Sequence, residues 1–193
     1  MVISSLIYDN SLDLPSIISF CFKMAARMSS VKTAFLLFTE DQEENCEKLR
    51  TVLEYNSDGC ICIVDLVDVR GASLEEKLRD GCDCILLVCS SRAVQLINDE
   101  ESSIFKTKSG HRVKFDGKII SKVLKCSDGR VRKKVIPVSF VELPSALHQN
   151  PEERKKCRYN TISFEIKQGE VNEEMLEGDV LASLIDVIKK AKP

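Results

Sequence analysis

CILLVC, at Cys84–Cys89, is apolar at every position. A strand with one face in water alternates apolar and polar residues. An unbroken apolar run of this length therefore describes a strand covered on both faces, as in the middle of a parallel sheet. TAFLLF at Thr33–Phe38 has the same character, and CICIVDL at Cys60–Leu66 is nearly as apolar. Between these runs the period becomes helical. Cys46, Leu49, Val52 and Leu53 recur at helix spacing after Thr39 and Gln42, a pair at capping-box distance. Asn56–Gly59 supplies the turn that ends this helix. Val67–Ala72 reads as a loop, and Ser73 with Glu76 repeats the capping pattern to open a short helix through Arg79. Strand, helix, strand, helix, strand is the rhythm of a parallel sheet with helices on both faces.

Beyond Cys89 the rhythm is looser. Ser90–Gly110 is polar, contains the acidic run Asp99-Glu100-Glu101, and reads as a long loop or a weak helix followed by a loop. Phe115, Ile119, Ile120, Val123 and Leu124 predict an amphipathic helix over Val113–Lys125, with Lys114, Lys118, Lys122 and Lys125 on its wet side and Gly117 as a weak point. Cys126–Lys134 reads as a turn. VIPVSFV at Val135–Val141 predicts a fourth strand, and Pro137, lacking an N–H, predicts an edge or irregular one. Leu143–Lys156 reads as irregular or briefly helical. Tyr159–Ile166 alternates and predicts a fifth, edge strand, while Leu176, Val180, Leu184 and Ile188 predict a closing helix. The economical answer is an α/β, flavodoxin-like three-layer sandwich: a mostly parallel sheet of about five strands in the order 2-1-3-4-5, with helices on both faces.

The chain has 193 residues, 44% hydrophobic and 30% charged, enough for one domain with its own core. Residues 32–193 form that domain, and residues 1–31 read as an N-terminal extension, a short helix or poorly ordered. Within it Leu12–Arg27 is too short to span a bilayer and carries Asp13 and Pro15, so packing on the domain is expected over stable membrane insertion. A net charge of −2 gives no drive toward nucleic acid or anionic membrane. Trp is absent and aromatics are few, against a stacking platform for single-stranded nucleic acid. Nine cysteines, an odd number placed partly inside apolar runs, read as free thiols in a reducing, cytoplasmic setting.

Sheets of this kind bind ligands at the carboxyl ends of their strands. The exit of the first strand is Thr39-Glu40-Asp41, whose carboxylates repel a phosphate, and neither phosphate-binding glycine motif occurs. No cofactor is expected. A phospho-receiver site would need an Asp ending the third strand, but that strand exits through Cys89-Ser90-Ser91. Cys60-x-Cys62 and Cys82-x-Cys84 miss the usual zinc spacings, and the first pair reads as two core thiols on one strand face, so no metal is expected. His111 and His148 lie in polar segments away from any nucleophile motif.

The order of landmarks resembles the SEFIR/TIR superfamily. TAFLLFTED (33–41) resembles the opening strand with its acidic exit, and the second strand ends in Asp65. VRGASLEEKL (69–78) resembles the loop, glycine and helix that follow, GCDCILLVCSS (81–91) the third strand with its Ser exit, and KKVIPVSF (133–140) the late Ile-Pro strand. The resemblance covers residues 32–148 and the closing helix. The charged insertion after the third strand and the basic helix before VIPVSF make it more similar to the SEFIR domains of interleukin-17 receptors and their cytosolic adaptor. It implies an intracellular adaptor in innate immune or inflammatory signalling that associates with SEFIR/TIR-domain proteins, itself included, as a homo- or hetero-oligomer; the lack of a transmembrane segment favours an adaptor or a detached domain over a receptor.

Some TIR domains cleave NAD with a Glu on the helix before the Ile-Pro strand. Here FDGKIISKVL (115–124) places Lys118 in that slot, and a cation would oppose the positive charge that develops on the ribose. Catalysis is therefore not expected, with Asp116 the only near substitute. A third reading is a small-ligand sensor at the strand-end cleft. For association, two surfaces are expected: the loop with Val69, Arg70, Gly71 and Ser73, and a basic face of Lys114, Lys118 and Lys122 that would meet Asp99, Glu100 and Glu101 of another protomer head to tail.

Overall fold

The computed structural model describes residues 31–69, 73–126, 129–142, 162–166, 176 and 178–191. The chain divides into Met1–Val31 and Lys32–Pro193, and the second unit is described here. In chain order its elements are β1 (Lys32–Leu37), a 3-10 turn (Glu40–Gln42), α1 (Glu43–Asn56), β2 (Ile61–Asp65), α2 (Leu74–Asp80), β3 (Cys84–Val88), α3 (Ser91–Asn98), β4 (Ser102–Lys106), β5 (Arg112–Asp116), α4 (Gly117–Leu124), α5 (Arg130–Lys134), β6 (Val135–Glu142), β7 (Ile162–Ile166) and α6 (Asp179–Lys190).

Five strands form one sheet in the order β2-β1-β3-β6-β7, and every neighbouring pair is parallel. Counting only these strands, the order is the expected 2-1-3-4-5. The central strands are as dry as their composition demands. Ala34–Leu37 and all of β3 are buried, which requires cover on both faces. α1 packs on β2, and α6 on β1 and β7, while α2, α3, α4 and α5 pack on one another. Right-handed crossovers put these two groups on opposite faces.

Pro137 does not sit on an edge. β6 lies between β3 and β7. Val138 O accepts from Cys89 N–H at 2.8 Å. Both polar groups of one strand residue point the same way, so those of Val138 face β3 and those of Pro137 face the β7 side. β7 begins opposite Val138, so the missing donor falls just ahead of the pairing. At the far side of the sheet, β2 turns the groups of Ile63 outward, and α1 covers them: Ile63 N–H donates to Glu54 Oε1 at 3.2 Å and Ile63 O accepts from Arg50 Nη2 at 3.3 Å.

The segment between β3 and β6 differs most from expectation. Ser90–Gly110 does begin with a helix, but a strand follows where a loop was expected. It forms α3, capped by Ser90 Oγ accepting from Ala93 N–H at 3.1 Å, and then β4. The expected helix over Val113–Lys125 is two elements. Val113 and Phe115 are buried and Lys114 is exposed, a period of two, so residues 112–116 pair with β4 as an antiparallel hairpin. The helix starts only at Gly117, capped by Asp116 Oδ1 accepting from Ile119 N–H at 3.1 Å. The expected turn over Cys126–Lys134 contains α5. The capping boxes of Thr39 and Ser73 form no side-chain cap bond. In α6 the inward residues are Leu181, Leu184 and Ile188, and Val180 is exposed. The thiols of Cys60 and Cys62 are half-buried and exposed, not core, whereas Cys82 and Cys84 are buried. The expectations for residues 1–30, Leu143–Lys156 and Tyr159–Thr161 lie outside the described residues.

Gly117 is where the insertion locks onto the domain. A Cβ there would lie 2.1 Å from Leu96 O and 2.5 Å from Glu101 O. Helix propensity alone predicts that Gly117→Ala stabilises by about 1 kcal/mol. The contact predicts the opposite sign, a loss of about 1–3 kcal/mol from overpacking, read as a lower midpoint in urea unfolding.

Candidate interaction surface

The acidic turn and the basic helix meet within one chain. α3 ends at Asn98, and Glu100 takes φ +55°, which swings the backbone back so that Glu101 N–H donates to Leu96 O at 3.0 Å. Gly117 N–H then donates to Glu101 O at 2.8 Å, bringing the start of α4 against the turn. Glu100 Oε1 accepts from Lys125 Nζ at 3.0 Å and from Ser121 Oγ at 3.3 Å. The hydrogen bond and charge of Lys125, with help from Ser121 and Lys118, hold the Glu100 carboxyl below its usual range. Lys122 Nζ pairs with Glu75 Oε2 at 2.9 Å, and that hydrogen bond is the main cause of the lowered Glu75 pKa. The acid expected to serve another protomer is thus partly spent at home. Asp99 and Glu101 remain exposed. So does Lys118, which among the described residues meets no carboxylate within ion-pair distance.

Lys114 is not part of this helix face. It stands on β5 and pairs with Asp116. Asp116 is only 8% exposed. Burial pushes its pKa up, but the bonds from Lys114 and Ile119 N–H, the Lys114 charge and the Ser102 hydroxyl outweigh this, and the net shift is downward. Its carboxylate is occupied as the cap of α4 and as the anchor of Lys114.

The second expected surface is half folded away. Val67 N–H donates to Asp65 Oδ1 at 2.7 Å and Asp65 N–H to Asp68 Oδ2 at 2.9 Å, and Arg50 Nη2 clamps this turn through Asp65 at 2.9 Å and Asp68 at 3.6 Å. Val67 and Val69 pack against the core. Ser73 is exposed at the head of α2, while Arg70 and Gly71 lie outside the described residues.

Between β1 and β3 the strand order reverses, the usual place for a ligand. There Thr39, only 1% exposed, donates to Asp41 Oδ1, and Ser90 Oγ lies 3.0 Å from Thr39 Oγ1 and 3.4 Å from Asp41 Oδ1. These polar groups satisfy one another, and Ser90 also caps α3. The buried thiols are quiet as well, Cys46 on α1 and Cys82 and Cys84 at the opposite end of β3. Burial raises the Cys82 thiol to about 11 and the Cys84 thiol to about 12, and it raises Cys46 strongly, so all three stay protonated at neutral pH. Among the described residues no cluster of His, Cys, Asp and Glu could hold a metal ion, and no helix is long and apolar enough to cross a membrane.

The sequence reading missed Ser90 and Asp116 as caps. The local signal was present, since Ser and Asp are strong N-cap residues, but Asp116 was masked by a helix begun too early, at Val113, and Ser90 by the reading of its polar segment as a loop or a weak helix followed by a loop. No family model, curated protein or solved structure matches this chain.

Asp116→Ala should cost about 1 kcal/mol, a fall in Tm of about 2–4 °C for a chain of this size. Because its folded pKa is depressed, the ionised carboxylate contributes stability above the unfolded pKa, near 4, and that contribution is lost as pH falls through the lower folded value. Asp116→Asn should therefore flatten the acid limb of a stability-against-pH curve measured below about pH 4.

Proposed function

We propose that this chain is a cytoplasmic signalling adaptor domain that works by associating with domains of its own fold, including copies of itself, in innate immune or inflammatory signalling. The observation that carries the reading is the setting of Lys118. It lies in the first turn of α4, exposed and without an acidic partner among the described residues, on a helix whose backbone is pinned against α3. Lys118 feels the charge of Glu100 but is in direct contact with no carboxylate among the described residues, and an exposed cation on a rigid element is a recognition feature. It also lies where the resemblance puts the carboxylate of NAD-cleaving TIR domains, and the neighbouring Asp116 is already engaged in capping. The free thiols of the described residues fit a reducing compartment. The mutually satisfied groups at the β1/β3 exit favour assembly over small-ligand sensing.

Lys118→Glu should weaken self-association by about tenfold or more, measured by light scattering or by co-precipitation of differently tagged copies. Its melting temperature should move by no more than about 2 °C, since exposed charges contribute little to stability. Undiminished association would remove this face from the interface. Nicotinamide release from NAD by the assembled wild type, absent in Asp116→Ala, would replace the adaptor reading with an enzyme.

A further inference from the structure

The β4–β5 hairpin has one dry face and one wet face. Phe105, Val113 and Phe115 point inward and are buried, with Phe105 against Phe38 at a centroid distance of 6.1 Å. The hairpin tip is tied down, with Lys108 N–H donating to Glu43 Oε1 at 2.6 Å and Lys108 Nζ pairing with Glu44 at 3.0 Å. The wet face carries Ile104, Lys106, Arg112 and Lys114, all exposed.

Register makes this face unusual. Lys106 stands directly opposite Arg112, and Ile104 opposite Lys114. Thr107 N–H donates to His111 O, so Lys106 and Arg112 form the closer, non-hydrogen-bonded kind of pair, with Cβ atoms about 5 Å apart. Like charges directly opposite destabilise a two-stranded ribbon, which is marginal in any case. The surroundings neutralise other cations: Lys108 has Glu44, Lys114 has Asp116, Lys122 has Glu75 and Lys125 has Glu100. Among the described residues Lys106 and Arg112 have no such partner. Beside them Ile104 is 55% exposed at the edge of an open dish of about 390 Å³ lined by Ile104, Phe105, Lys106, Gly110 and Arg112.

We propose that the outer face of this hairpin binds an extended acidic segment of a partner protein, with a carboxylate or phosphate between Lys106 and Arg112 and an aliphatic side chain on Ile104. Ile104 and Lys106 are two residues apart on one strand, about 7 Å. An extended peptide presents its own side chains at positions i and i+2 with the same spacing, so the two periods match. Arg beside Lys suits an anionic oxygen pair. A membrane fits less well, because the tip that would insert is fastened to α1 and the face offers one aliphatic residue. Nucleic acid lacks a stacking partner, since the face carries no aromatic ring.

The test is fluorescence anisotropy of a labelled peptide alternating Leu, Thr, Glu, Thr and Glu, titrated with the full chain. Saturable binding that weakens with salt is expected. Lys106→Glu should reduce affinity by about tenfold or more while melting at or above the wild-type temperature, because it converts a repulsive cross-strand pair into an attractive one. That combination separates recognition from folding. Ile104→Asp should also lose binding, and Lys118→Glu, on the other surface, should retain it. Absence of saturable binding, or full affinity in Lys106→Glu, would overturn the proposal. So would vesicles of phosphatidylcholine and phosphatidylserine pulling down the wild type but not Lys106→Glu when the peptide fails to bind.

Discussion

Everything that distinguishes this molecule from a plain parallel α/β sandwich depends on a backbone contact that only a glycine permits. α4 enters at Gly117 so close to the end of α3 that Leu96 O and Glu101 O occupy the space of a side chain. The contact fixes the turn at Glu100, and the turn sets the direction of β4. The hairpin, the acidic turn and the basic helix therefore form a single rigid insertion. Surfaces built from such an insertion keep their geometry on binding, which limits the ordering cost of association.

Where the sequence was a good guide, the physics was one-dimensional. Ala34–Leu37 and Cys84–Val88 are apolar at consecutive positions, and only a strand covered on both sides explains that. Strand order followed from the same runs, because alternating helices and right-handed crossovers leave few arrangements. The insertion was harder to read because two periods overlap there. Phe115 fits a helical stripe with Ile119 and Val123, and equally a strand with Val113; pairing with β4, a long-range fact, decides between them. Pro137 misled because its missing donor was counted without knowing which neighbour it would have faced. Thr39 and Ser73 have good capping residues after them, but the backbone enters those helices without using the side chains.

The candidate site was legible as a set of residues and not as an arrangement. Lys118, Lys122, Glu100 and Glu101 all belong to one surface, yet Glu100 with Lys125, and Glu75 with Lys122, form pairs within the chain that no spacing rule foretells. Internal pairing decides which charges this surface leaves exposed and unpaired. Counting cations along the helix put Lys114 in the wrong element, and it ignored Lys106 and Arg112, which acquire meaning only through their cross-strand register.

The cover over Ile63 has a consequence for any crowded assembly. A protein that gathers copies of itself at high local concentration risks fusing their sheets, since an open strand edge templates another chain and can lead to cross-β aggregates. Glu54 and Arg50 occupy the outward groups of β2 at its middle residue, so the ladder that an arriving strand would extend is interrupted there. A border closed in this way leaves the sheet a property of the single chain, and keeps its strands out of any contact between chains.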